Sequence, residues 1–367
     1  MRGRRVARHV AAVATLGALA VGCAVGPAAN RGGSGDPSAE EEQRPGGGGD
    51  DEGPPPLSPD DPSEDEPEPG PTSAPATGSA TAASDPVIDE VGDACCLAQV
   101  PDSEDLLIAS GDTVFLHEAE GDGELTPLGD IPGDVLGLAV PRSATGSFVS
   151  VVVSYASASG LRVDSYTYFP AQEWAPWGPS SAPLLDDPIP LAGDGTRGGG
   201  ALAFGPGGAL FLGTGDAGDP ALAEDEDSLA GKILELDPNG SDPPVVHSPG
   251  PYADVRGIAW DQDRMWVVDA ADDGGARLFS VVPEGDPVDV RELPGEVPMG
   301  LAASEGSLWM PGGAEGTLWR IPLHGTRLVA DPAAVLDLAA PGALLTDAGS
   351  TDLLALGDGG VLRLTVE

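Results

Sequence analysis

Short apolar runs separated by polar turns repeat along the chain from Pro86 onward. Each unit has the pattern of a strand, a polar turn and a second strand, and most units continue into a third strand. Three of the five spacings between units are about 40 residues, and the other two contain longer loops, as in a β-propeller. The sequence therefore predicts an all-β fold, a six-bladed β-propeller over residues 86–367, whose units begin at Leu97, Leu136, Leu202, Ile258, Leu301 and Leu344.

A lone strand-like run, residues 87–91, precedes the first unit. The sixth unit reaches Glu367 without room for a fourth strand. A propeller that lends its N-terminal strand to the last blade has no exposed edge there, and exposed edges promote aggregation. We therefore expect residues 87–91 to complete the sixth blade.

Residues 1–23 have the pattern of a signal peptide. Arginines at the start are followed by an apolar run over residues 10–21, which is too short to span a bilayer comfortably. The run ends in Ala20-Val21-Gly22-Cys23, which resembles the lipobox of bacterial lipoproteins. We expect a secreted protein that is lipidated at Cys23 and anchored to the outer face of the cell membrane. The alternative is an ordinary signal peptide cut near Ala28 or Ala29.

Residues 24–85 consist almost entirely of Gly, Pro, Ser, Ala, Asp and Glu. Such a segment has little apolar surface to bury, so ordering it would cost conformational entropy without compensation. We predict a disordered acidic linker that holds the propeller away from the membrane. An acidic ligand-binding tail is the alternative.

The chain is strongly acidic, with 60 Asp and Glu residues against 17 Lys and Arg residues. A negative field of this size repels phosphate backbones, so we expect no nucleic-acid partner and membrane contact only through the lipid anchor. The neighbouring cysteines Cys95 and Cys96 show no zinc-site spacing. They are predicted to be two buried thiols in a strand, and a bond from one of them to a second molecule is the alternative.

The central stretch, residues 199–240, carries a more specific signal. It contains GGALAFGPGGAL, then TGDAGDP, then SLAGKILELDPNG. In this order the three pieces resemble the glucose/sorbosone dehydrogenase family, and weaker similarity continues at residues 136–139 and 257–261. The resemblance implies a six-bladed propeller that uses pyrroloquinoline quinone (PQQ) and calcium to oxidise sugars.

The residues expected at the family's active site differ in this chain. The resemblance places a catalytic histidine just before the GGALAF strand, where Arg197 stands. The arginine and asparagine that contact the quinone correspond to Ala253 and Asp254, and a neighbouring glutamine corresponds to Arg256. We therefore predict no catalytic residue, and Arg197, Asp254 and Arg256 as candidate cofactor contacts. The alternative is that Arg197 is a solvated loop arginine and that Arg256 is a loop arginine paired with nearby acids.

Two further sets of residues are candidates for ligand contacts. Asp216 and Asp219 lie in the glycine-rich acidic loop and could supply oxygen ligands to calcium, the alternative being aspartates that cap backbone amides in a turn. Trp174 and Trp177 lie in a loop and could line a sugar or cofactor face, whereas the other tryptophans fit blade cores.

Two functions are compatible with these patterns. The first is a cell-surface lipoprotein whose propeller binds a sugar, another small polar ligand or a cell-surface protein without catalysis, because the base is lost. The second is a PQQ-dependent sugar dehydrogenase. Fold alone does not decide between them, because one scaffold supports many functions.

Overall fold

The computed structural model describes residues 73–121, 123–142, 147–170, 177–179, 183–193, 197–271, 274–282, 286–293, 297–312, 316–357 and 360–367. The chain divides into two units, Met1–Asp65 and Glu66–Glu367, and all described residues belong to the second. The predicted signal peptide, Cys23, most of the predicted linker and Trp174 lie outside the described residues. Within the described ranges, no helix has the length and apolar character needed to cross a bilayer.

The described strands form six antiparallel sheets, and each sheet is one blade of the propeller. A short strand, β1 (Ala80–Ala82), precedes the first blade in the sequence. The first three blades consist of β2 (Ala94–Gln99), β3 (Leu106–Ser110), β4 (Thr113–His117) and β5 (Leu125–Asp130); then β6 (Asp134–Ala139), β7 (Val149–Ser157) and β8 (Gly160–Tyr168); then β9 (Gly199–Phe204), β10 (Leu210–Thr214), the helix α1 (Pro220–Glu224), β11 (Ile233–Leu236) and β12 (Val245–Ser248).

The last three blades follow the same order of strands from the axis outward. They consist of β13 (Val255–Asp261), β14 (Arg264–Ala270), β15 (Ala276–Val281) and β16 (Val288–Leu293); then β17 (Ala302–Ser304), β18 (Ser307–Gly312), β19 (Thr317–His324), β20 (Arg327–Leu328) and β21 (Ala333–Asp337); then β22 (Leu344–Thr346), β23 (Leu353–Gly357) and β24 (Gly360–Val366). This arrangement confirms the predicted all-β, six-bladed propeller.

The innermost strands form a closed ring, in which β2 contacts β6, β6 contacts β9, and so on through β13, β17 and β22 back to β2. The second strands are almost completely buried, because blades pack on both of their faces; Leu107, Val152, Leu212 and Val267 have no exposed surface. Apolar clusters fill the spaces between adjacent blades. Each blade therefore depends on its two neighbours for burial.

The sixth blade is closed from the N-terminal side, but by an earlier segment than the sequence predicts. Strand β1 pairs with β24, with Ala80 opposite Val366. Of the predicted run at residues 87–91, Ile88 forms an isolated bridge to Val361, and Val87 donates a backbone hydrogen bond to Val361. The closing strand is thus Ala80–Ala82 and not residues 87–91. Contacts with the propeller already begin at Ser73, which forms a bridge to His324, so the last part of the predicted linker is packed on the propeller.

Four inner strands carry an irregularity near their first residues. The pairing register shifts around Cys95 in β2, Leu136 in β6, Gly200 in β9 and Arg256 in β13. A β-bulge leaves its extra residue out of the ladder and redirects its side chain. Cys95, Leu136 and Arg256 all line the central channel, so the bulges place these side chains at one end of it.

The bulge in β2 also explains a wrong prediction. Cys95 and Cys96 form a disulfide with each other, instead of the two buried thiols predicted from the sequence. In a regular strand adjacent side chains point to opposite faces, which would separate the two sulfurs. The bulge at Cys95 removes this alternation locally. The sequence gives no sign of the bulge, so the bond was not foreseen.

Candidate functional site

The candidate site lies where the third and fourth blades meet, beside the end of the central channel at which the inner strands begin. We call this end the channel mouth; Cys95, Leu136, Arg256, Met299 and Ala343 line it. The whole channel has a volume of about 1310 Å³. The structure brings together Arg197, Asp216, Asp254 and Arg256, four of the predicted site residues, across the boundary between these two blades.

Arg197 and Asp216 form a two-pronged ion pair. The Nε atom of Arg197 donates to Oδ1 of Asp216 at 2.9 Å, and its Nη2 atom donates to Oδ2 at 2.5 Å. The Asp216 side chain is 3% exposed and the Arg197 side chain 26% exposed. Two parallel charge-assisted bonds of this kind fix both geometry and charge. The residue at the expected position of the base is therefore a permanently charged partner of a buried carboxylate.

The backbone around this pair is held equally closely. Arg197 has a positive φ of 56°, and its carbonyl oxygen accepts a hydrogen bond from the Ala217 amide at 3.0 Å. A side chain on Gly215 would collide with that carbonyl oxygen, since an added Cβ would lie 2.2 Å from it. The glycine of the TGDAGDP motif thus allows the Arg197 loop to lie against the acidic loop.

A second ion pair lies one blade further on. Asp254 is buried and accepts from Nε of Arg256 at 2.8 Å and from Nη2 at 2.6 Å. Its other carboxylate oxygen accepts from the backbone amide of Gly199 at 2.9 Å, which links the fourth blade to the third. Arg256 is the partner that faces the channel, with its side chain 36% exposed. Of the predicted cofactor contacts, only Arg256 lines the channel.

A third carboxylate, which sequence reasoning missed, supports the turn before β13. Asp269, near the end of β14, accepts from the backbone amides of Ala253 at 3.0 Å and Asp254 at 2.6 Å. It is 3% exposed, and burial raises the pKa of its carboxyl to about 6, despite these two bonds. Asp269 lies 15 residues from Asp254 and in no recognisable motif; only the hairpin pairing of β13 with β14 brings the two together.

The acidic loop after β10 is built by its own aspartates and by Lys232. Asp219 is the N-cap of α1 and accepts from the Ala221 amide at 3.1 Å, while Asp216 also accepts from the Gly218 amide at 2.8 Å. Lys232 is 2% exposed, its Nζ donates to the carbonyl oxygens of Ala223 and Ala230, and burial lowers its pKa. These are the capping roles that the sequence left open as the alternative to calcium binding.

These contacts do not fit a calcium ion at Asp216 and Asp219. Both oxygens of Asp216 already accept from Arg197, and calcium prefers six to eight oxygen ligands. Among the described residues, no group of three or more His, Cys, Asp or Glu side chains is arranged to hold a metal. The sequence hypothesis of a calcium site therefore has no support in this loop.

The same residues also fit PQQ poorly. Ala253 offers no charge at the position where the resemblance expects an arginine, and the guanidinium of Arg197 is committed to the buried Asp216 carboxylate. Trp177, a candidate for a ligand face, instead stacks on Tyr166 with ring centroids 4.9 Å apart and does not line the channel. No histidine among the described residues lines the channel; these histidines lie in strands β4, β12 and β19.

Comparison with known proteins agrees with this fold and with the central motifs. The family model described as "Glucose / Sorbosone dehydrogenase" matches residues 184–283. The PQQ-bound form of aldose sugar dehydrogenase from Streptomyces coelicolor is similar, with 29% identity and a TM-score of 0.70 over 80% of this chain and 100% of that chain. The resemblance to the glucose/sorbosone dehydrogenase family is thereby confirmed.

Two more distant structures support the fold alone. A putative glucose dehydrogenase from Thermus thermophilus has 23% identity and a TM-score of 0.65, over 78% of this chain and 100% of that chain. The apo-form of soluble aldose sugar dehydrogenase from Escherichia coli has 17% identity and a TM-score of 0.63, over 79% of this chain and 99% of that chain. No curated protein matches the chain by sequence.

Proposed function

We propose that this protein is a glucose/sorbosone dehydrogenase-like propeller that binds a small polar ligand at its channel mouth and does not oxidise it. The observation that carries the proposal is the ion pair between Arg197 and Asp216. Sugar oxidation needs a group that accepts the hydroxyl proton near working pH. An arginine stays protonated in proteins, and here its guanidinium is also committed to a buried carboxylate.

Arg256 gives the mouth its recognition chemistry. It is the charged residue that a bulge turns into the channel, and more than a third of its side chain is exposed there. Guanidinium N–H groups that remain free of Asp254 suit a hydroxyl or carboxylate oxygen. Around it, Leu136, Met299 and Ala343 supply apolar contacts. A sugar or a sugar acid offers this combination of groups. A cell-surface protein could be recognised in the same way if it inserted a hydroxyl or carboxylate group into the channel.

A PQQ-dependent sugar dehydrogenase is the second candidate, favoured by the 29% identity to an enzyme solved in its PQQ-bound form. If it is correct, PQQ must be held by groups other than those that the resemblance names.

One experiment separates the two functions. The purified protein is supplied with PQQ and calcium in excess and assayed by dye-linked oxidation of several aldoses. We expect turnover no higher than without PQQ, because a missing base alone costs about 100-fold to 10,000-fold in rate. In parallel, glucuronate and glucose are titrated while the melting temperature is followed, since a ligand that binds only the folded state raises it. Clear aldose turnover would establish the dehydrogenase instead.

Matched variants locate the binding site. Arg256→Gln removes the arginine charge at the channel mouth and should abolish most of the stabilisation by glucuronate. Arg291→Gln removes an exposed arginine that pairs with Asp331 on the outside of the propeller and should leave it unchanged. An equal loss of stabilisation in both variants would mean that glucuronate binding depends only on the net charge of the protein.

We further propose that the propeller is anchored to the outer face of the cell membrane through lipidated Cys23, with the acidic segment before Ser73 as its tether. The sequence pattern at residues 20–23 supports this. Cys23→Ala should release the protein from membranes into the medium, and Cys95→Ala, which keeps the lipobox, should not. A Cys23→Ala protein that stays on the membrane at normal yield would contradict the anchor.

A further inference from the structure

The Cys95–Cys96 disulfide lies on the wall of the central channel, and neither proposed function uses it. Both residues line the channel, beside the bulged start of β2. Cys95 is partly exposed, whereas Cys96 is only 5% exposed and belongs to the apolar cluster between the first two blades. Cys95 is therefore the more accessible residue of the pair.

Access to a sulfur decides whether a disulfide exchanges, because a thiolate must reach and attack it. The channel volume of about 1310 Å³ leaves ample space for a small thiol beside Cys95. The Sγ atom of Cys95 lies 3.2 Å from the carbonyl oxygen of Val135, at the start of the second blade. Cys96 offers an attacking thiolate less exposed surface than Cys95 does.

We propose that the Cys95–Cys96 disulfide is a redox-active group of the channel mouth that exchanges with low-molecular-weight thiols entering the channel. A thiolate attacks Sγ of Cys95, a mixed disulfide forms, the Cys95–Cys96 bond breaks and the Cys96 thiolate takes up a proton. A second thiolate attacks the small thiol's sulfur in the mixed disulfide and releases the Cys95 thiolate. Two small thiols are thereby oxidised to one disulfide, and the protein gains two thiols.

Reduction also changes the mouth itself. The disulfide ties Cys95, the extra residue of the bulge, to the next residue of β2. After reduction the Cys95 side chain is free to rotate into the channel, on the same ring of bulged positions as Leu136 and Arg256. The proposal concerns the chemistry of this bond and stands whether or not the channel binds a sugar.

The test uses the full chain with Cys23→Ala, in which the pair supplies the only cysteines. We expect no free thiol in the unfolded protein without reductant, and two after incubation of the folded protein with glutathione. A tenfold higher glutathione concentration should raise the reduction rate about tenfold, because the thiol attacks the folded protein directly. Iodoacetamide added to the reduced, folded protein should label Cys95 well before Cys96, as read by peptide mass spectrometry.

Three results would contradict the proposal. Two free thiols before any reductant would mean that the bond is absent. A reduction rate that is independent of glutathione concentration and equal to the unfolding rate would mean that the bond is reached only in the unfolded chain. Cys95→Ser and Cys96→Ser, each leaving one thiol, provide the control: the remaining Cys95 thiol should react faster with iodoacetamide than the remaining Cys96 thiol. Equal rates in the two folded variants would contradict the assigned direction of attack.

Discussion

Deleting residues 73–83 should lower the melting temperature of the propeller by about 8 °C, because the sixth blade loses its closing strand. The deletion removes the pairing of β1 with β24 and the buried side chains of Ala74 and Ala80. It also takes away the Pro75 carbonyl oxygen, which accepts from Nη2 of buried Arg320 at 3.0 Å. Four backbone hydrogen bonds through Ala74, Ser79 and Ala83 are lost as well. With roughly 1 kcal/mol for each of these five bonds, the loss is about 5 kcal/mol, which corresponds to about 8 °C for a domain of roughly 290 residues.

The matched control deletes residues 50–60, an equal length of the predicted linker, and should change the melting temperature by less than about 1 °C. Both deletions keep Val87 and Ile88, whose backbone bonds to Val361 remain possible. If the two deletions give the same melting temperature, Val87 and Ile88 are enough to close the ring. In that case the closing role belongs to the run that the sequence pattern indicated. Scanning calorimetry of both variants decides the question.

The difference between the predicted and the observed closing strand shows that very short strands cannot be predicted from sequence patterns. The repeats were predictable because each blade carries apolar runs long enough to show alternation and turn signals. Strand β1 has three residues, Ala80, Thr81 and Ala82, inside a segment whose composition is typical of disorder. Three small residues carry no periodicity, and only the unpaired edge of β24 makes them a strand.

The candidate site was also predictable only in part. The resemblance indicated Arg197, Asp216, Asp254 and Arg256, and the structure brings all four together. The resemblance did not indicate that Arg197 pairs with Asp216 and Arg256 with Asp254, because each ion pair depends on the loop geometry at the start of a blade. Asp269 and the Cys95–Cys96 bond were not predicted, since the first depends on a hairpin and the second on a bulge, neither of which leaves a local pattern.

Arg197→Ala should destabilise the propeller by about 3 kcal/mol, because it leaves the Asp216 carboxylate buried without its guanidinium. Removing one partner of a buried ion pair typically costs about 3–5 kcal/mol, and the partial exposure of Arg197 places the expected loss at the lower end of that range. The Gly218 amide remains as a hydrogen-bond donor to Asp216 but carries no full charge. For a domain of roughly 290 residues the melting temperature should fall by about 5 °C.

The companion variant is Arg197→Ala with Asp216→Asn, in which the uncompensated charge is also removed. We expect this double variant to be more stable than Arg197→Ala alone, because a neutral amide is less costly to bury than an unpaired carboxylate. A double-mutant cycle that includes Asp216→Asn isolates the coupling between the two side chains.

A calcium titration tests whether Asp216 is a metal ligand. The parent protein should show no change in melting temperature with millimolar calcium, since Arg197 already occupies both oxygens of Asp216. A calcium-dependent rise in the parent that Asp216→Asn abolishes would mean that Asp216 is a metal ligand after all, and that the ion pair opens to admit the ion.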